Sequence, residues 1–245
     1  MLYWFANLVF QSDFLNEIKE ILKNKKRIIV VDVGCYKGVF TEKILNIFNG
    51  KIKHAYLFDI NIKVKNYIKD LIKKKNISYN ELALTRTSDI SFYNYNQFFE
   101  SAGSSLSNLV KKDKKWNLSR RLLIGNYKKK DSGYSKYKVK TSTLDNFVKK
   151  NKIKYIDICK VDIEGTELDF LKGSINTLKK NKIKILSIEI MENKKKFSLK
   201  EKKIHDFLEK NNFKLIKKNK IRSISFLSDL KGGDYLFYNE RNRLN

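Results

Sequence analysis

The chain predicts one α/β domain built on a doubly wound, mostly parallel sheet of seven strands. Three observations carry that expectation. Apolar, β-branched runs alternate with segments of helical period along most of the 245 residues, the pattern of buried strands covered by helices on both faces. Three of the runs close on an acid, at Asp32, Asp59 and Asp162, and in a parallel sheet such ends share the edge where ligands bind. No internal repeat and no evident linker divides the chain, which is long enough for one sizeable core.

Element by element, Phe14, Leu15, Ile18, Ile21 and Leu22 recur at helical spacing, so residues 12–24 form a lead-in helix with Ser12 or Asp13 as its cap. Residues 28–33 are the first strand, followed by a glycine turn and a helix over 39–48 that ends near Asn49-Gly50. Residues 54–59 are the second strand, Asn61 to Lys75 a helix, Ile77 to Leu84 the third strand and 90–93 a small extra one. Residues 96–136 show no clean period and carry Gly103-Ser104-Ser105, several lysines and Arg120-Arg121, so they read as a partly ordered insertion near the site. The pattern resumes with a strand at 137–141 and a short helix at 143–148. A fourth main strand spans 156–162, with Glu164-Gly165 as its turn. One helix then carries Leu168, Leu171, Ile175 and Leu178, strand 183–190 holds Glu189 near its end, and a helix covers 199–211. Residues 213–216 and 235–238 close the sheet. Residues 1–26 are thus a helical lead-in and residues 27–245 the Rossmann-like domain.

Composition limits the function classes. Apolar content is 42% and aromatic content 13%, values of a globular protein. Cys35 and Cys159 both fall in or beside buried strands, which argues for a reducing, cytoplasmic setting rather than a disulfide framework. Net charge is +27, yet only seven of the 53 basic residues are arginine. Nucleic-acid grooves favour arginine for its forked donors, so lysine bias is the first reading of the charge and an acidic partner the second. No apolar run is long enough to span a bilayer. Residues 2–10 are apolar and aromatic without a basic flank; they read as a packing segment, with weak peripheral membrane contact as the alternative. Oligomeric state is not legible.

The first turn is Asp32-Val33-Gly34-Cys35-Tyr36-Lys37-Gly38. Its glycines stand four apart, which is not the Gly-x-Gly-x-x-Gly spacing that cradles a pyrophosphate. Glycines there allow close approach of a ligand. A ligand of ribose plus a charged amino-acid end fits better, and S-adenosylmethionine is such a molecule. Asp32 would face its cationic end, directly or through water, and Asp59 would accept the ribose diol.

These residues resemble the FkbM-type S-adenosylmethionine-dependent class I methyltransferases. Val31 to Thr41 looks like their first motif, and Tyr56-Leu57-Phe58-Asp59 matches their acid after the second strand. Asn80 to Leu84 with Ile90 to Tyr93 is similar to their Asn-x-Ala-Leu and small strand, and Ser104-Ser105-Leu106 to their Ser-Ser-Leu. Most specific are Thr143-Leu144-Asp145 and the run from Lys160 to Gly173, which follows Lys-x-Asp-x-Glu-Gly-x-Glu-x-x-x-Leu-x-Gly. The resemblance spans about residues 28–192. It implies methyl transfer to a hydroxyl of a sugar, glycan or other small molecule. Asp32, Gly34, Cys35 and Gly38 would line the cofactor loop, Asp59 and Ile60 the ribose, and Glu81 and Ala83 the adenine. Asp162 would touch both cofactor and acceptor, with Glu164 and Glu189 as further catalytic acids.

An alcohol acceptor needs its proton removed, so a base belongs within hydrogen-bond reach. Asp162 or Glu164 is that base; His54 and His205 fall at the far edge and on a surface helix. The acids are oxygen donors of the type Mg²⁺ takes, but no dedicated metal-ligand cluster is visible. The alternatives are a ribose 2′-O-methyltransferase acting on nucleic acid, with Lys160, Asp162, Lys172 and Glu189 as a loose Lys-Asp-Lys-Glu set, and a non-catalytic binding module of the same fold. An Asn-Pro-Pro-Tyr loop for base methylation is excluded, because the chain has no proline.

Overall fold

In chain order the elements are α1 (residues 13–22), β1 (Ile28–Val33), α2 (Val39–Ile47), β2 (Ile52–Phe58), α3 (Val64–Tyr67), β3 (Ile77–Asn80), β4 (Ala83–Leu84) and β5 (Ile90–Asn96). They continue with α4 (Leu109–Lys112), β6 (Tyr134–Ser142), α5 (Leu144–Lys150), β7 (Ile156–Val161), α6 (Glu167–Lys172), α7 (Ile175–Lys179) and β8 (Ile183–Asn193). The last are α8 (Lys194–Glu209), β9 (Phe213–Lys218), β10 (Arg222–Ser223) and β11 (Leu230–Asn239). The computed structural model describes residues 13–61, 63–96, 105–107, 109–112, 134–219, 222–223 and 229–242. Ser12, residues 2–10 and most of the 96–136 insertion lie outside the described residues.

Alternation decides which side of the sheet each strand residue serves. In β1, Val31 and Val33 join one apolar cluster while Ile28 and Val30 join the other, as the two-residue period of a strand requires. Both clusters are needed because helices cover both faces. Phe14, Leu15, Ile18 and Leu22 of α1 pack with Phe40 and Ile44 of α2 on one side. Phe170 and Leu171 of α6 and Ile204 and Leu208 of α8 pack on the other.

The main sheet runs β3-β2-β1-β7-β8-β11, with β9 and the two-residue β10 both on the outer edge of β11. β3, β2, β1, β7 and β8 are mutually parallel, and β11 is antiparallel to β8. The seven expected strands are present, with β10 as a short addition. The chain leaves β1 toward β2 on one side and returns to β7 on the other. The crevice outside the carboxyl ends of β1 and β7 is therefore the topological switch point, the place where open α/β sheets bind ligands. A second small sheet, β4-β6-β5, stands beside it.

Four expectations change. The third strand over 77–84 is divided, with β3 in the main sheet and β4 in the small one. The helix over 61–75 is only α3 plus a 3₁₀ turn at Leu71–Lys73. Lys65, Lys69 and Lys73 repeat at four-residue spacing, and like charges so placed oppose a continuous helix; Val64, Ile68 and Leu71 still reach the core. The helix after β7 is split into α6 and α7. Ser174 Oγ donates to the Phe170 carbonyl at 2.7 Å, a back-bond that bends helices. A Cβ on Gly173 would lie 2.0 Å from the Thr85 carbonyl oxygen, so the chain turns there against β4. Finally, residues 90–93 and 137–141 are not separate short strands. They are the centre of one antiparallel ribbon, β5 with β6, from Ile90↔Lys140 to Asn96↔Tyr134.

Candidate functional site

Asp32 lies one residue before the end of β1 and is fully buried. Thr41 of α2 donates to its Oδ2 at 2.7 Å. Its Oδ1 faces Lys160 Nζ at 3.8 Å, because Asp32 and Lys160 are register partners across β1 and β7. Burial raises the Asp32 carboxyl, and Lys160 and Thr41 oppose that rise. Asp32 is thus the buried end of a charge chain that begins at Lys160.

Lys160 turns next to Asp162, whose Oδ2 it approaches at 3.1 Å. Burial alone would lower Lys160, but Asp162 and Asp32 hold it above the ordinary lysine value. The Lys160 side chain is 12% exposed and that of Asp162 is 35% exposed. Glu189 of β8 joins from the third strand. Burial raises its carboxyl well above the glutamate range, and Asp162, Asp234 and Glu164 push the same way. A hydrogen bond between Glu189 and Asp162 adds to that rise. The switch point therefore gathers Asp32, Lys160, Asp162, Glu164 and Glu189 from three adjacent parallel strands and their loops.

The loop after β7 is held by unusual means. Glu164 has φ 54° and Gly165 φ 106°. Glu167 Oε1 accepts the Gly165 N–H at 2.6 Å, and Lys200 Nζ donates to the Gly165 carbonyl at 2.9 Å and to the Met191 carbonyl at 2.8 Å. Lys200 and Glu167 pair at 2.7 Å with side chains 7% and 1% exposed. Ser105 and Ser107 hydroxyls donate to the Glu164 carbonyl at 2.9 and 3.1 Å. Four hydrogen bonds and a buried ion pair thus fix one turn, and the Lys200 bond to Met191 ties it to β8. Glu167, Lys200 and Ser107 are not singled out from sequence, and Lys160 only within the loose Lys-Asp-Lys-Glu set; the Lys-x-Asp-x-Glu-Gly-x-Glu spacing is the available signal for Lys160 and Glu167, and Lys200 has none.

At the neighbouring edge Asp59 follows β2. Its Oδ2 accepts the Tyr36 N–H and its Oδ1 the Asn61 N–H, each at 2.9 Å. Burial raises it and these bonds lower it. A carboxylate offers about four acceptor sites, and half-buried Asp59 spends three on the backbone N–H groups of Tyr36, Asn61 and Ile60, which leaves room for a ribose hydroxyl. Ile60 stands beside it, half-buried, Glu81 is exposed just after β3, and Ala83 is buried in β4. Cys35 is buried, its thiol pushed up first by burial and then by Asp59 and Asp32.

The two glycines serve the fold in a way the spacing did not suggest. A Cβ on Gly34 would lie 1.8 Å from the Asp162 carbonyl oxygen, and one on Gly38 would lie 2.7 Å from Leu71 Cδ2. Gly34 lets the β1 loop pass the β7 loop, which brings the cofactor motif against Asp162. His54 pairs with Ser78 at 2.6 Å and His205 lies between Tyr235 and Phe237, both away from these acids. Lys172 lies on α6 beside Lys196 and Lys203 in a groove of about 300 Å³, so it does not join Lys160, Asp162 and Glu189. Among the described residues no group of three or more His, Cys, Asp or Glu is arranged to hold a metal ion, and no helix is long and apolar enough to cross a membrane.

Sheet order and switch-point acids define a Rossmann-like domain of the methyltransferase kind. Residues 32–215 match the methyltransferase FkbM domain, and the chain belongs to that family. Among solved structures it is similar to the FkbM methyltransferase of Methylobacillus flagellatus KT, at 11% identity and a TM-score of 0.52, over 86% of this chain and 44% of that one. The chain therefore spans less than half of that protein's length. It is also similar to the fibrillarin pre-rRNA processing protein of Methanococcus jannaschii (11% identity, TM-score 0.47, 88% and 68% covered). A further likeness is to the N-methyltransferase NodS of Bradyrhizobium japonicum WM9 (9%, 0.46, 94% and 96%). At such identities the likeness is one of fold. No curated protein matches the chain.

Proposed function

We propose that the chain transfers a methyl group to a hydroxyl oxygen of a sugar, glycan or other small molecule. S-adenosylmethionine is the cofactor that membership of the family carries with it, and when bound it supplies an electrophilic methyl on a sulfonium. Asp59 would hold the ribose diol, with Glu81 and Ala83 toward the base. The observation that carries the reading is the charge chain from buried Asp32 through Lys160 to Asp162, its most exposed member.

Much of the rate of an in-line methyl transfer comes from holding the reactants in line. Asp162 would do this for the acceptor and take its proton. Lys160 fixes one Asp162 oxygen, and Glu189 hydrogen-bonds the same carboxylate. The hydroxyl proton would move to Asp162 in the transition state of the transfer. Glu164, on its clamped turn, orients the acceptor from the other side.

The test incubates protein and cofactor with a glycan or metabolite pool and follows products one CH₂ heavier by mass spectrometry. Asp162→Ala should keep cofactor binding and lose roughly 10²–10⁴-fold in turnover, the usual worth of a positioned base. A variant that binds cofactor and turns over fully removes Asp162 from the reaction.

A further inference from the structure

The β5–β6 ribbon carries a face that the sheet and core do not use. Residues directly opposite on an antiparallel pair point to the same side, and the register sets Ile90 against Lys140, Phe92 against Lys138 and Asn94 against Lys136. Ile90 is 63% exposed and Phe92 53% exposed, and Lys136, Lys138 and Lys140 are all exposed. The alternate residue Tyr93 is buried. At its Ile90–Phe92 end this face presents two large apolar side chains beside three exposed lysines, while Asn94, next along the same face, is buried against Ser105 and Ser107. Lysines on a ribbon guard it against pairing with other strands. That explanation accounts for the lysines but not for Ile90 and Phe92 opposite them.

We propose that this face docks the protein on a membrane surface carrying anionic lipid. Ile90 and Phe92 are of the kind that enter the headgroup–acyl boundary, and a lysine row at the same level meets lipid phosphates and carboxylates. Single-stranded nucleic acid fits less well. It needs open aromatic faces for base stacking; Ile90 has none, and Lys136 Nζ already sits 5.8 Å over the centre of the Phe92 ring. None of the described residues of the face is an arginine, the usual forked reader of nucleic acid. The ribbon also stands on the rim of the site. Asn94 Nδ2 donates to the Ser107 carbonyl at 3.1 Å, and Ser105 and Ser107 hold the Glu164 carbonyl. Docking here would bring the turn that carries Glu164 close to the lipid surface.

The test needs neither cofactor nor acceptor, so it stands apart from the methyl-transfer reading. The full chain is floated with vesicles of phosphatidylcholine alone and of phosphatidylcholine with phosphatidylserine. It should bind only the anionic vesicles. Lys136→Glu/Lys138→Glu/Lys140→Glu and, separately, Ile90→Ser/Phe92→Ser should each weaken binding by roughly tenfold or more. Lys195→Glu/Lys203→Glu/Lys210→Glu, an equal charge change on exposed positions of α8 and its end, should weaken it by less than about twofold. All these positions are solvent-facing, and circular dichroism confirms the fold. Equal loss in the α8 set, unchanged binding in both ribbon sets, or capture of oligouridylate but not of vesicles by this face overturns the proposal.

Discussion

Lys160 is the residue on which the site's electrostatics turn. It stands between a fully buried acid and a half-exposed one, so its removal strands Asp32 in the core. Breaking a buried pair by deleting one partner costs about 3–5 kcal/mol. Lys160→Met is expected to lower Tm by roughly 6–20 °C for a domain of this size, and adding Asp32→Asn should restore part of it; a Tm unchanged by Lys160→Met would show that the pair is not buried in solution. Glu189 gives a pH signature. Its folded-state pKa is raised, so its proton stabilises the fold below the ordinary glutamate value, and that gain is lost as pH rises through the raised pKa. Glu189→Gln stays neutral throughout. Its Tm should fall less steeply than the parent's between acid and alkaline pH, and parallel curves would mean Glu189 is already ionised. Asp32, Asp59 and Asp162 were legible because each closes an apolar run. The direction in which Asp32 points was not, since it depends on Lys160, a register partner 128 residues away in sequence.

At the scale of the element, the turn after β7 is a clamp. Positive φ at Glu164 and Gly165 is held open by Glu167 on the Gly165 N–H, Lys200 on its carbonyl and two serine hydroxyls on the Glu164 carbonyl. Lys200→Met leaves Glu167 buried without its cation and two carbonyls without a donor. It should cost about 3–5 kcal/mol, lower kcat with little change in cofactor affinity, and recover in part when Glu167→Gln is added. Equal losses in kcat and cofactor affinity would assign Lys200 to general stability instead. The family-like run from Lys160 to Gly173 divides along similar lines. Asp162 and Glu164 face the site, Leu171 is core, and Gly173 packs against Thr85. Asp145 of the Thr-Leu-Asp motif caps α7, accepting from the N–H groups of Asn176 and Thr177 at 2.9 and 2.8 Å. Half of a signature that reads as chemistry is scaffold. Helix breaks at Lys65-Lys69-Lys73 and Ser174 were missed because apolar periodicity is blind to like-charge spacing and to side-chain back-bonds.

Over the whole molecule, strand order does what no single motif does. Placing β7 beside β1 brings residues near 32 and 160 to one edge, and β8 adds Glu189 from the next strand. Alternating strand and helix predicted that parallel sheet, and the structure has it. Pairing of β5 with β6 across the insertion was not predictable, because a ribbon that joins residues 90–96 to 134–142 leaves no local sequence signal. The central claim is a cofactor site at the switch point, with Asp59 on the ribose. Calorimetric titration of S-adenosylmethionine tests it most directly. The account predicts saturable binding at one site per chain, weakened more than tenfold by Asp59→Ala, since each hydrogen bond to a charged acceptor is worth about 1.5–3 kcal/mol, in a variant that still melts cooperatively. No binding by the parent protein, or equal affinity in Asp59→Ala, would contradict it.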